Sequence, residues 1–197
     1  INFDFQIPIG SLPKLLNILT TDDIKFYKLS LPERKIKIKY TDSDKFNIGL
    51  AWSGSFNGPN EPYRSIPLKK LSKIFSLNAK FYCLQNEIWD RDKDDFKSLN
   101  LIDYSNYKLN ETASIIQNLD LVITSDTSIL HLSASLNKET WAMLSLHPDW
   151  RWGEFNDINP YSSLKVFKQK KFNDWSDVER SIFLELENKI NDFKKSD

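Results

Sequence analysis

The chain has 197 residues, 40% of them hydrophobic and 13% aromatic, enough for the core of one domain or of one domain plus a fragment, and too apolar for a disordered chain. Its 27 basic side chains balance 27 acidic ones, so no global field recruits nucleic acid or an anionic membrane, and an anionic ligand must be met locally. A single cysteine, Cys83, excludes an internal disulfide framework and fits a reducing compartment; with only two histidines beside it, a structural zinc site is disfavoured.

No apolar run approaches the roughly 18–20 residues of a membrane span, and no signal-peptide pattern opens the chain, so the expected location is cytoplasmic. Residues 1–44 read as the end of an upstream unit and a linker. Phe3, Phe5 and Ile7 alternate briefly before Pro8 and Gly10, and a short apolar helix is predicted over residues 12–19. The alternating Lys35-Ile36-Lys37-Ile38-Lys39-Tyr40 ends in Thr41-Asp42-Ser43-Asp44 and reads as an edge strand or a linker. The start at Ile1 leads to the expectation that this is the C-terminal piece of a longer protein.

Residues 45–197 read as one domain. Residues 46–52 are apolar enough for a buried strand, and Ser53-Gly54-Ser55 ends it with a glycine that lets backbone approach a ligand. Past a loop with Gly58, Pro59 and Pro62, Pro67 is expected in the first turn of a helix whose apolar stripe is Leu68, Leu71, Ile74 and Phe75. A second buried strand over 80–84 stops at Gln85. Residues 86–99 carry both charge signs and read as a solvated loop or short helix. Leu101 and Ile102 suit a short strand, and residues 111–118 a helix with Ala113 and Ile116 inward.

The most informative stretch is 119–146. Leu121, Val122 and Ile123 run together as in a strand covered on both faces. A loop of hydroxyls around Asp126 follows. Ile129, Leu132 and Leu136 then fall at helical spacing, leaving Ser128, His131 and Ser135 on the other side, and a second buried strand closes a βαβ unit. Beyond it lie an aromatic loop with Trp150, Arg151, Trp152 and Phe155, a short strand over 164–167, and a final helix. That helix opens with the capping-box pattern Ser176-Asp177-Val178-Glu179 and carries Val178, Ile182, Leu186, Ile190 and Phe193 on one face.

Strands alternating with helices predict an α/β fold: a Rossmann-like, three-layer α/β/α parallel sheet. Ligands of such sheets sit at the carboxyl ends of the strands, where Ser53–Ser55, Gln85 and Asp126–Ser128 all fall. At a helix N-terminus, Asp126-Thr127-Ser128 with His131 suits a diphosphate and a sugar hydroxyl; the same residues also suit an N-cap with a surface histidine. Ser53-Gly54-Ser55 suits a phosphate cradle or a plain turn, and lacks both the dinucleotide and the P-loop fingerprints. Arg64 suits a bidentate contact to phosphate or carboxylate, or a solvated surface. The aromatic loop suits stacking on a ligand or packing on its own domain. A metal role for His131 and Asp126 is disfavoured for want of further ligands.

Taken in order, Ile48-Gly49-Leu50-Ala51-Trp52-Ser53-Gly54, Arg64-Ser65-Ile66-Pro67-Leu68, Phe81-Tyr82-Cys83-Leu84-Gln85, residues 120–128 with His131, and Pro148-Asp149-Trp150-Arg151-Trp152 form a pattern that resembles the C-terminal half of bacterial glycosyltransferases that often follow tetratricopeptide repeats. It is similar to the heptosyltransferase-like family 9 enzymes and, more distantly, to O-linked N-acetylglucosamine transferase. The resemblance implies one half of a GT-B fold that binds a nucleotide-diphosphate sugar without an essential metal or other cofactor and transfers a hexosyl or heptosyl group with inversion. It implies donor contacts from Ser53, Gly54, Arg64, Gln85, Asp126, Thr127, Ser128 and His131. An opposing half, mostly absent here, is expected to supply the catalytic base and the glycan, lipid or protein acceptor site. One departure is Asn86, where many relatives carry a cation; either Arg64 or a lysine elsewhere substitutes, or donor binding is weakened. The alternative reading is therefore a catalytically degenerate nucleotide-sugar-binding or scaffolding domain.

Overall fold

The computed structural model describes residues 4–20, 23, 29, 44–57, 63–149, 152 and 161–195. Six parallel strands form one sheet in the order β3-β2-β1-β4-β5-β6. They are β1 (Phe46–Ala51), β2 (Ala79–Cys83), β3 (Leu101–Asp103), β4 (Leu121–Ser125), β5 (Thr140–Leu144) and β6 (Leu164–Lys168). All six expected strands are present, and the five with stated bounds match within two residues. Ahead of them, the apolar helix expected over 12–19 is one turn, α1 (Leu12–Leu15), with Leu15, Leu16 and Leu19 exposed. The expected edge strand or linker over 31–44 falls, apart from Asp44, outside the described residues.

Side chains alternate across a strand, and the two faces of this sheet feed two cores. Leu121 and Ile123 join Ile48, Leu50, Phe81 and Trp141 beneath α5 (Ser176–Lys195), which contributes Val178, Ile182, Leu186 and Ile190. Val122 points the other way, with Tyr82 and Leu84, toward Ala113 and Ile116 of α3 (Leu109–Gln117) and Ile129 of α4 (Ser128–Ser135). Burial on both faces explains the continuous apolar run in β4. Gly49 is where these layers meet most closely: a Cβ there would lie 2.6 Å from Leu84 Cδ1 and 2.7 Å from Leu119 Cδ1. The sheet edges are β3, three residues long, and β6, which exposes Lys165, Val166 and Lys168 and pairs Lys165 with Glu185 of α5.

Two local expectations are corrected and one is widened. The helix after Pro67 is a 3-10 helix, Leu68–Ser76, with Pro67 extended in front of it rather than in its first turn. Its buried residues, Leu68, Leu71 and Ile74, recur every third position, the period of that tighter helix. Around α4 the expected face packs inward, with Ile129 and Leu136 buried and Leu132 partly so, and Leu130, Ser133 and Ala134 are buried as well. Ser133 can sit inside because its hydroxyl donates to the Ile129 and Leu130 carbonyls and accepts from Thr140. At α5, helix begins at Ser176 itself, and the Asp174 carboxylate, not a Ser176 box, accepts the Ser176 amide at 3.0 Å.

The charged stretch 86–99 is not merely a solvated loop. It folds into a 3-10 turn (Asp90–Asp92) and α2 (Lys93–Ser98), with Trp89 and Asp92 buried. The Asp92 carboxylate accepts the Trp52 indole N–H at 3.0 Å and the Leu68 amide at 3.1 Å, with Arg91 Nε 3.3 Å away. Those partners supply what a buried charge requires, and they tie α2 to the end of β1.

Candidate functional site

The sheet order reverses between β1 and β4: from β1 the chain moves outward to β2 and β3, then returns to β4 on the other flank. Loops leaving neighbouring strands in opposite directions open a crevice at their carboxyl ends. β1 and β4 are paired through Ala51 and Thr124, so the 53–55 loop and the 126–128 turn are neighbours. Between them lies a cleft of about 510 Å³. All eight residues singled out in the sequence line it: Ser53, Gly54, Arg64, Gln85, Asp126, Thr127, Ser128 and His131.

At the floor, α4 starts with Thr127 in extended geometry (φ −137°, ψ 175°) at the cap position, without a capping side chain. Its hydroxyl pairs instead with that of Thr124 at 3.1 Å. The reading of this motif as a self-satisfied N-cap therefore fails. Leu130 donates its amide to the Thr127 carbonyl at 3.1 Å, while Ser128 and Ile129, whose amides precede any intrahelical carbonyl, line the cleft with the partial positive charge of the helix end.

Arg64 reaches the same turn and donates from Nη1 to the Asp126 carbonyl at 3.2 Å. Asn86 lines the cleft as well. Arg64 brings a guanidinium to the same cleft. Asp126 is nearly buried, with Oδ1 3.8 Å from His131 Nε2. His131 Nδ1 pairs with the Tyr161 hydroxyl at 3.0 Å, and its ring stacks on Trp152 with centroids 5.6 Å apart. Trp152 is the described member of the aromatic loop; Trp150, Arg151 and Phe155 lie outside the described residues.

Gln85 lines the cleft but spends its amide on the protein. Its Oε1 accepts the Trp52 and Ser53 amides at 2.9 and 2.8 Å, and its Nε2 donates to Ser53 Oγ and the Glu87 carbonyl, both at 2.7 Å. Gly54 adds an amide to Ser65 Oγ at 3.2 Å and a carbonyl to Trp89 Nε1 at 3.1 Å. Gln85 and Ser53 thus shape the loop, a role no local pattern distinguishes from ligand contact. Sequence reading also missed Glu87 on the rim, Tyr161 and Ser65. Glu87 stands two positions past Gln85, where a strand-end carboxylate is visible in the sequence; Tyr161 carries no such signal.

Burial, opposed by a weak contact to the Gln85 carbonyl and helped by the Asp103 charge, pushes the Cys83 thiol up to about 12, so it is no nucleophile at neutral pH. Among the described residues no group of three His, Cys, Asp or Glu side chains is placed to hold a metal ion, and no helix is long and apolar enough to cross a membrane.

Fold and cleft together define a Rossmann-like α/β domain with a crevice at its switch point. Residues 75–180 match the family model for glycosyltransferase family 9 (heptosyltransferase), and the chain belongs to that family. No curated protein matches the sequence. Among solved structures the chain resembles E. coli ADP-heptose lps heptosyltransferase II (13% identity, 75% of this chain and 49% of that one, TM-score 0.53). It also resembles E. coli heptosyltransferase WaaC with ADP (13% identity, 75% and 46%, TM-score 0.54) and with ADP-2-deoxy-2-fluoro heptose (12% identity, 74% and 44%, TM-score 0.50). These likenesses show the fold, one half of the GT-B arrangement. The chain spans less than half the length of each of these relatives.

Proposed function

We propose that this chain is the donor-binding domain of a glycosyltransferase that takes a hexosyl or heptosyl group from a nucleotide-diphosphate sugar. The observation that carries the reading is the convergence, in one cleft, of the uncapped N-terminus of α4, the Arg64 guanidinium and the Asp126–His131 pair. Dipole, cation and amides offer the diphosphate its charge complement, and Thr127, Ser128 and His131 supply further polar partners. In this proposal residues 45–197 form the domain, while residues 1–44 end an opposing half, which carries the acceptor site and the base and follows tetratricopeptide repeats.

The chemistry is metal-independent displacement with inversion. An acceptor oxygen, losing its proton to a base of the opposing half, bonds to the anomeric carbon. The bond from that carbon to the diphosphate breaks, and the electron pair leaves with the nucleotide diphosphate. Groups fixed around the departing phosphate stabilise charge as it develops. The ADP and ADP-2-deoxy-2-fluoro heptose held by heptosyltransferase WaaC make adenine nucleotides the first probes, and the reaction is assigned to the cytoplasm.

The test is calorimetric titration of the chain with ADP, UDP, GDP and CDP, repeated on Asp126→Ala and His131→Ala. At least one nucleotide is expected to bind, with both variants weakened. Failure of all four to bind would remove the donor-site reading.

A further inference from the structure

A second cavity of about 290 Å³ adjoins the cleft and shares Arg64 and Asp126 with it. Of its lining, the sequence reading singles out Arg64, Asp126 and the Pro148-Asp149 motif, but neither Tyr63 nor Phe172. Its walls are Tyr63 and Phe172, with His147, Ser145 and Asp149 around them. Tyr63 and Phe172 are each 55% exposed, yet their rings face one another with centroids 5.5 Å apart. Phe172 is held out by a tight turn: Lys171 and Asp174 bridge, the Asp174 amide donates to the Lys171 carbonyl at 3.1 Å, and Asn173 takes a positive φ of 56°. A phenyl ring fixed in solvent contributes little to the fold, since its burial is incomplete.

We propose that this cavity holds the glycosyl group of the donor, with the Tyr63–Phe172 pair as its stacking platform; the inference rests on the donor-site reading above. A nucleotide-diphosphate sugar has two lobes joined by a diphosphate, and the two cavities have the same form, joined at Arg64 and the Asp126 turn. The larger one suits the nucleoside and the smaller one a single sugar ring. A pyranose ring presents an apolar C–H face to an aromatic surface and hydroxyls around its edge. The cavity offers that surface, and Asp126, Asp149, Ser145 and His147 as edge partners for hydroxyls. Beside Arg64, its two carboxylates, Asp126 and Asp149, can accept from neutral hydroxyls.

The test compares matched pairs, ADP with ADP-heptose, UDP with UDP-glucose and GDP with GDP-mannose, on wild type, Phe172→Ala, Tyr63→Ala and Phe172→Tyr. Both rings are half-exposed, so the variants are expected to fold. Each alanine variant should lose about three- to tenfold in affinity for the sugar nucleotide that binds wild type and keep its affinity for the bare diphosphate, while Phe172→Tyr restores binding. Sugar-ring proton resonances should move upfield on binding to wild type and not to Phe172→Ala. Equal losses for both members of a pair, or no loss in either, would overturn the sugar platform while leaving the nucleotide site standing. Absence of any nucleotide binding to wild type would remove both readings together.

Discussion

Arg64 and the carbonyl of Asp126 are joined by a hydrogen bond of 3.2 Å from Nη1 across the mouth of the crevice. That bond fixes a guanidinium, a group with five N–H bonds in a planar fork, beside the first turn of α4. Replacing Arg64 by alanine should lower affinity for a bound nucleotide diphosphate by about tenfold or more, the range of a charged hydrogen bond. Arg64→Lys should recover only part of it, because an ammonium lacks the planar fork. Calorimetry at fixed ionic strength decides; a lysine variant with full affinity would show that charge alone suffices.

Gln85 acts by a different route. Changing it to leucine leaves the buried Trp52 and Ser53 amides without an acceptor, at a cost of roughly 1–3 kcal/mol for each unsatisfied group. A lower denaturant midpoint and weaker nucleotide binding should appear together. Intact stability with lost binding would mean that Gln85 contacts ligand directly.

Asp92 is predicted to matter more for folding than any other acidic residue in its segment. In Asp92→Asn one oxygen can still accept from Leu68, but the new amide would point N–H groups at the Trp52 indole N–H or lose the Leu68 contact. Destabilisation of about 2–4 kcal/mol is expected, read from urea unfolding. The exposed neighbour Asp94, changed likewise, should have almost no effect.

The Cys83 thiol should resist alkylation in the folded protein at pH 8 and react fully in denaturant. Its pKa is raised on folding to about 12, so the native state holds its proton where the unfolded chain, near 8.5, releases it. The stability this lends is complete below about pH 8.5 and is lost as pH rises toward 12. Comparing alkaline unfolding of wild type with Cys83→Ser isolates the contribution.

The βαβ unit around Asp126 was legible because its evidence is local. Three consecutive apolar residues, Leu121 to Ile123, announce a strand covered on both faces, and the hydroxyl-rich turn marks where the helix begins. The strands at 46–51 and 79–83 were readable for the same reason. Distant partners were not. Asp92 looks like any charge in an acidic and basic run until it meets Trp52, 40 positions earlier in the chain. The orientation of His131 depends on Tyr161, 30 positions later. Gln85 sits at a strand end, where a ligand contact and a loop brace have the same sequence appearance; its four hydrogen bonds distinguish them. The 3-10 helix was blurred by Phe75, which extends a three-residue spacing into an α-helical stripe and yet lies outside the fully buried set. The Tyr63–Phe172 pair joins residues 109 positions apart and had no local trace.

The two rims of the sheet bear on how the molecule meets other chains. An open strand is a template on which a foreign strand can add itself. Here one rim offers only the three residues of β3. The other, β6, carries Lys168 and the Lys165–Glu185 ion pair, so an incoming strand would have to bring its backbone alongside fixed charges. Both features work against sheet-to-sheet growth and amyloid-like stacking, and they leave the loop-bearing end of the strands as the surface suited to specific encounters.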